Sequence, residues 1–121
     1  MFLKTRKPQV SKPQYAQVSD TKRVSLQLFR EGKTIPAIAA MRNFTIGTIE
    51  KHLEHFIRTG ELDVYQTMPP EKVDAILKEI SQMQGSSAAP LKEKLGDHYS
   101  YGEIRAVLSH WYWKNEAGIN I

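Results

Sequence analysis

Hydrophobic residues in this chain recur mostly every three or four positions, which is the spacing of one face of an α-helix. No stretch shows the strict alternation of a β-strand that is buried on one side. The pattern therefore predicts six helices. We expect them at about residues 21–30, from 35 onwards, over 46–59, from 69–70 onwards, at about 89–95 and from 101 to about 114.

The third predicted helix has the clearest boundaries. Thr45 is a good N-cap, and Phe44 with Ile49 has the spacing of a hydrophobic staple across the helix start. Gly60 ends the helix, and a short extended connection is expected over residues 61–65. The apolar stripe expected to be buried consists of Ile46, Ile49, Leu53 and Phe56.

Stop and start signals also mark the other helices. Gly32 ends the first helix, and Thr34 can cap the second, where Ile35, Ile38 and Ala39 share a face. A capping box of Ser100 and Glu103 opens the sixth helix. Its expected buried stripe is Ile104, Val107, Leu108 and Trp111.

These elements predict an all-α fold, a compact bundle of about six helices. Residues 1–19 contain prolines and lysines without helical periodicity, and we interpret them as an extended basic N-terminal arm or linker. Residues 20–114 form the helical domain, and residues 115–121 are expected to be a frayed C-terminus. At 121 residues, the chain is the size of one ordinary domain.

Residues 34–59 fit the plan of a helix-turn-helix, with a short helix, a turn of about four residues at 42–45 and a longer helix. The small Ala39 faces the longer helix and permits close packing. The polar side of that helix, which lies opposite its apolar stripe, is the candidate nucleic-acid surface. Its candidate contacts are Thr45, Thr48, Lys51, His52, His55 and Arg58.

Two features of this helix argue against sequence-specific recognition of DNA. Glu50 and Glu54 on its flank would repel phosphate, and its N-terminal turn offers no arginine or asparagine for a bidentate base contact. We therefore expect weak, salt-sensitive binding, with a solvated face as the alternative.

The charge is unevenly distributed along the chain. The formal net charge is +4, of which residues 1–23 contribute +5 and residues 24–121 contribute −1. A basic arm suits nucleic acid or another acidic partner, and a solubilising linker is the alternative. The basic residues of this first stretch are Lys4, Arg6, Lys7, Lys12, Lys22 and Arg23.

Several classes of site are not expected. The chain has no cysteine, no apolar run long enough to span a bilayer and no glycine-rich phosphate loop. His52 and His55 are close in sequence but lack the further ligands that a metal requires. We expect no metal, no cofactor, no enzymatic activity and no membrane contact. We also expect the protein to be a monomer that is located in the cytoplasm and associated with the nucleoid.

The C-terminal region is rich in aromatic side chains, including Tyr99, Tyr101 and Trp111. They could stack on unpaired bases, but packing within the bundle is the simpler interpretation. If Tyr112 and Trp113 are exposed together, they are candidates for a contact with a protein partner.

Four stretches of the chain carry a family resemblance: residues 25–35, 48–53, 60–63 and 95–108, together with Ile38, Ala39 and Arg42. In combination they resemble the helix-turn-helix domain at the C-terminus of RecQ-family helicases. Related domains follow other bacterial helicases, and a divergent copy occurs in Werner-type helicase. The resemblance covers roughly residues 20–112. It implies a compact helical module outside the helicase motor, which places the motor on DNA or recruits partners. Glu50 lies within the matching motifs and could pair with Arg42 or another neighbour to hold the turn.

The preferred hypothesis is an accessory DNA-binding domain of an ATP-dependent DNA helicase with a role in DNA repair. The chain has no ATPase motif, so motor activity would belong to the rest of a longer protein. A protein-interaction module of a helicase or repair complex is the first alternative. A free-standing transcription regulator, which would have to dimerise, is the second.

Overall fold

The computed structural model describes residues 20–83 and 87–116, in which it contains α-helices and one 3₁₀ helix but no β-strand. The predicted all-α fold of six α-helices, including a helix-turn-helix, is confirmed. The α-helices are α1 (Asp20–Arg30), α2 (Ile35–Arg42), α3 (Ile46–Arg58), α4 (Pro70–Gln82), α5 (Ala88–Leu95) and α6 (Tyr101–Glu116). Within the described part of the chain, no helix is long and apolar enough to cross a bilayer.

Helix α3 lies at the centre of the bundle. It packs against α1, α2 and α6, and α6 in turn packs against α4 and α5. The core is a single apolar cluster to which every α-helix contributes, because each has one apolar face. Its largest fully buried side chains include Ile38, Ile49, Phe56, Ile57, Ile76, Leu91 and Ile104.

The caps predicted for these helices are present. The Thr34 hydroxyl accepts a hydrogen bond from the Ala37 amide at 3.2 Å. At the start of α6, the Ser100 amide donates to the Glu103 carboxylate at 3.0 Å and the Glu103 amide donates to the Ser100 hydroxyl at 3.1 Å. This reciprocal pair is the expected capping box, and it satisfies two amides that the helix itself leaves without partners.

The turn between α2 and α3 is set by the backbone of Asn43, which adopts a left-handed conformation with φ 59°. The Phe44 amide then donates to the Ala39 carbonyl at 2.9 Å, closing a Schellman motif at the end of α2. Ala39 is only 4% exposed, as expected for the small residue that lets α2 approach α3.

Three details differ from the predictions. Ile46 is 48% exposed rather than buried, and Ile57, which lies outside the predicted stripe, is 1% exposed. The connection after α3 is not extended throughout, because Val64–Gln66 is a 3₁₀ helix whose first turn is capped by the Asp63 side chain. Helix α6 continues to Glu116, two residues beyond its predicted end.

Candidate nucleic-acid interface

The outer face of α3, which we define as Gly47, Thr48, Lys51, His55 and Arg58, is the side of the helix turned away from the core. Lys51 is exposed at its centre, and the other four residues are half-buried. The structure thus brings four of the six predicted contacts on α3 to one face. A fifth, Thr45, is exposed at the N-terminal end of the same face.

Thr45 and Thr48 organise the start of α3. The Thr45 hydroxyl accepts a hydrogen bond from the Thr48 amide at 3.1 Å, and the two hydroxyls lie 2.9 Å apart. The N-cap prediction is therefore confirmed. Both hydroxyls already have partners within the helix start, so these threonines contribute shape and backbone amides more than free donors.

His52, one of the predicted DNA contacts, is buried in the bundle and does not lie on the outer face. His52 is 8% exposed, and its Nδ1 lies 2.7 Å from the hydroxyl of the fully buried Ser25 on α1. The Arg42 guanidinium donates to the same hydroxyl at 2.6 Å, and in the His52 tautomer whose Nδ1 carries no proton the Ser25 hydroxyl donates to Nδ1. Burial lowers the pKa of His52, and the charges of Arg42 and Lys22 lower it further.

His55 stays on the outer face but is half-buried. Its ring meets that of Phe56 edge-on, with centroids 5.1 Å apart. Burial lowers the pKa of His55, and the nearby charges of Lys22 and Arg23 act in the same direction. A neutral imidazole gives no charge attraction to phosphate, so His55 can only act as a hydrogen-bonding group near neutral pH.

Arg58 points toward the end of α6. Its Nη1 donates to Glu116 Oε1 at 2.8 Å and its Nη2 donates to Glu116 Oε2 at 2.5 Å. The guanidinium also lies 5.5 Å from the centre of the Tyr112 ring. The bidentate carboxylate occupies the donors that a phosphate would use, so Arg58 can bind DNA only by exchanging this partner.

The two acidic residues of α3 are turned toward α6. Arg105 on α6 contacts Glu54 at 3.1 Å and Glu50 at 3.8 Å. Burial raises the pKa of both carboxyl groups, and Arg105 opposes that effect. Sequence reasoning did not name Arg105; it left the partner of Glu50 open between Arg42 and another neighbour, and that neighbour is Arg105. These carboxylates flank the outer face without projecting from its centre.

The first turn of α1 forms the other flank. The Arg42 guanidinium donates to the Thr21 carbonyl at 2.7 Å, which ties the beginning of α1 to the end of α2. Arg23 pairs with Glu61 at 2.6 Å and lies 5.0 Å from the centre of the Phe56 ring. Lys22 is close enough to influence both histidines of α3. Two of the predicted basic contacts, Lys22 and Arg23, therefore border the outer face.

The remaining basic contacts predicted for the arm, Lys4, Arg6, Lys7 and Lys12, lie outside the described residues. Residues 20–83 and 87–116 carry thirteen basic and thirteen acidic side chains. The formal net charge of +4 therefore belongs entirely to residues 1–19. Since α1 begins beside α3, the chain enters the domain next to the outer face.

The two aromatic residues proposed for a protein contact behave differently. Tyr112 is 39% exposed, and its ring lies under the Arg58 guanidinium. Trp113 is half-buried over Gly60, where any side chain would collide with the indole. The pair is therefore not a continuous exposed platform. Across the described ranges, no three His, Asp or Glu side chains are grouped closely enough to hold a metal ion.

Comparison with protein families identifies the class. The model of a helix-turn-helix domain family matches residues 21–108. The matched range covers α1 without its first residue Asp20, α2 to α5 completely and the first half of α6. The chain belongs to this helix-turn-helix domain family, and such a domain suggests DNA binding. Comparisons with curated proteins and with solved structures gave no match.

Proposed function

We propose that this chain is an accessory, non-catalytic module of an ATP-dependent DNA helicase that binds DNA backbone through the outer face of α3 and the basic arm. Membership of the helix-turn-helix family supports the DNA contact. The proposal that the parent enzyme is a helicase is supported by the resemblance to the C-terminal domain of RecQ-family helicases. That resemblance lies in residues 25–35, 48–53, 60–63 and 95–108. In this proposal the module works as a monomer on nucleoid DNA in the cytoplasm.

One observation carries the proposal. Lys51 is exposed at the centre of the outer face, while Glu50 and Glu54 beside it are drawn sideways by Arg105. A cation at the centre and carboxylates at the edge leave the middle of the face open to a phosphate. Because the arm joins α1 beside this face, its four basic residues extend the same attraction.

The arrangement favours weak binding that does not depend on sequence. Neither the N-cap nor the first turn of α3 carries an arginine, asparagine or glutamine that could read a base edge. The main contribution comes from phosphate neutralisation, which releases counterions and weakens as salt increases. A module of this kind would help to hold a helicase motor on DNA but would not select the DNA sequence at which the motor binds.

The test is a fluorescence-anisotropy titration of the full chain with labelled duplex and forked DNA at several salt concentrations. Lys51→Ala should weaken binding equally on different sequences and reduce the salt slope by about one unit. Lys78→Ala on α4 removes the same charge from an exposed position outside α3 and is the matched control. Equal slopes for the two variants would contradict the contact at α3.

A protein-interaction module is the second candidate, because the described residues are electrically balanced and Tyr112 is partly exposed. The full chain with Lys4, Arg6, Lys7 and Lys12 all changed to Gln separates the candidates. Under the DNA hypothesis this variant keeps weak binding that still depends on Lys51. Under the protein hypothesis it loses DNA binding completely. The transcription regulator would also require a dimer, which light scattering detects.

A further inference from the structure

A groove opens between α2, α3 and α6, on a different side of α3 from the outer face. Its cavity has a volume of about 230 Å³, which is room for one or two side chains and less than most small-molecule sites provide. The walls are mainly apolar, and Ile46 at the rim is 48% exposed. The apolar lining includes Ile35, Pro36, Ile46, Leu53, Met68 and Ala106.

The carboxylate of Glu50 lies in the wall of this groove. It rests against the backbone of Gly102, where the missing side chain makes room for it. Among the residues that the structure describes, none donates a hydrogen bond to this carboxylate. Its cationic neighbour, Arg105, is 3.8 Å away. The Glu50 side chain is 25% exposed, so water can reach it, and a charged donor from a ligand would exchange that water for a charge-assisted hydrogen bond.

The local charges leave the groove negative. Arg105 is shared between two carboxylates and is closer to Glu54, at 3.1 Å, than to Glu50. Glu103, which also lines the groove, is balanced by Lys72 at 2.7 Å. Of the described residues that line the groove, Glu50 and Glu103 are the charged ones, and both are acidic. DNA phosphate would be repelled by this wall, whereas a basic side chain would be attracted.

We propose that this groove is the docking site for a segment of a protein partner that carries an arginine or lysine beside an apolar side chain. The apolar side chain covers Ile46 and Pro36, and the cationic group reaches Glu50. Arginine is the better fit, because its planar guanidinium can donate two parallel hydrogen bonds to one carboxylate. Binding of this kind covers the exposed isoleucine and supplies the missing donor at once.

This site is separate from the proposed DNA contact and does not depend on it. Successive residues of an α-helix are about 100° apart, so Glu50 faces roughly a quarter turn away from Lys51. Ile46 lies still further round the helix axis. The domain can therefore hold a protein segment in the groove while the outer face of α3 remains accessible.

The experiment uses the full chain labelled for NMR and the peptide acetyl-Leu-Arg-Leu-amide as the probe. The matched probe replaces arginine with citrulline, which keeps the shape and removes the charge. We expect the arginine peptide to shift the signals of Ile46 and Ala106 with weak affinity, and the citrulline peptide to bind at least fivefold more weakly. Glu50→Gln should weaken binding of the arginine peptide by a similar factor. Glu93→Gln, an exposed carboxylate on α5, should leave it unchanged.

Four results would overturn the proposal. Equal shifts with both peptides would show that charge is not recognised, and an unchanged affinity of Glu50→Gln would remove the carboxylate from the site. Shifts confined to Lys51 and its neighbours would place the peptide elsewhere. If neutralising the basic residues of the arm moved the Ile46 signal without any peptide, the occupant would be the chain's own arm and not a partner. None of these readouts involves DNA, so failure here leaves the proposed function untouched.

Discussion

The hydroxyl of Ser25 on α1 lies 2.7 Å from Nδ1 of His52 on α3, and both residues are buried. The same hydroxyl accepts a hydrogen bond from Arg42, the last residue of α2, at 2.6 Å. One oxygen atom therefore joins α1 to both helices of the helix-turn-helix. Arg42 continues the network to the Thr21 carbonyl at 2.7 Å. Because the partners come from different helices, the network fixes how α1 and α2 sit on α3.

Removing this hydroxyl should destabilise the protein. Ser25→Ala leaves the buried His52 nitrogen without its donor and removes an acceptor from Arg42, so we expect a loss of about 1–3 kcal/mol in the free energy of unfolding. Urea denaturation followed by circular dichroism measures it. Ser81→Ala, which removes an exposed hydroxyl from α4, is the control and should have little effect. A loss no larger than that of the control would mean that the network does not stabilise the fold.

The same network makes stability depend on pH. The pKa of His52 is lowered from its ordinary 6.5, chiefly by burial. The unfolded chain therefore binds more protons than the folded one between that value and the lower folded pKa, so stability is complete above 6.5 and falls on acidification. Burial likewise lowers the pKa of His55 and His110, which act in the same direction.

The measurement is the urea midpoint at about pH 7.5 and about pH 5.5. His52→Gln should reduce the difference between the two midpoints without abolishing it, because His55 and His110 still contribute. His98→Gln removes an exposed imidazole and should keep the full difference. If His52→Gln and His98→Gln gave the same difference, protonation of His52 would not be coupled to unfolding.

A pair of glycine substitutions tests the packing of Trp113. Gly60 and Gly96 both have a positive φ, 85° and 83°. A Cβ at Gly60 would collide with the indole of Trp113, while a Cβ at Gly96 has no neighbour within 4 Å. Both alanine variants bear the cost of a positive φ, but only Gly60→Ala adds the collision, which should cost about 1–3 kcal/mol.

Thermal and urea unfolding of the two alanine variants give this difference directly. Adding Trp113→Ala to Gly60→Ala should cost less than Trp113→Ala costs in the wild type, because the collision is then relieved. An equal cost of Trp113→Ala in the wild type and in Gly60→Ala would show that Trp113 does not pack against Gly60.

The ion pair between Arg58 and Glu116 predicts an effect on DNA binding. Glu116→Gln removes the carboxylate that competes with phosphate for the guanidinium, so affinity should increase roughly twofold to fivefold at low salt. Glu93→Gln changes the net charge equally and should increase affinity less. In the Arg58→Ala background, the advantage of Glu116→Gln should disappear. An advantage that persists without Arg58 would mean that the effect is one of overall charge.

The helices and their caps could be predicted from the sequence because the interactions that define them are local. Thr34 and Thr45 each cap an amide three residues away, and Ser100 and Glu103 are likewise three apart. The 3.6-residue period also identified the buried side of α3 through Ile49, Leu53 and Phe56. The exposure of Ile46 could not be predicted this way, because it depends on a groove formed with α6.

The interaction partners of the charged and polar residues could not be predicted, because these partners are distant in sequence. Arg105 is 51 residues from Glu54, and Glu116 is 58 residues from Arg58. His52 occupies a flank position of α3 that helical geometry leaves undecided between solvent and a neighbouring helix. Only the position of α1 decides it. For the same reason, the sequence predicted the exposed position of Lys51 but not the burial of His52 at the edge of the outer face.

The central position of α3 limits how this surface can change. The helix that presents Lys51 also contacts α1, α2 and α6, so most of its side chains are committed to holding the domain together. Substitutions that alter DNA affinity without loss of folding should be concentrated at Gly47, Thr48, Lys51 and the partly exposed Arg58. Stronger binding would be engineered more easily by adding basic residues at exposed positions of the first turn of α1, where nothing in the core has to be rebuilt.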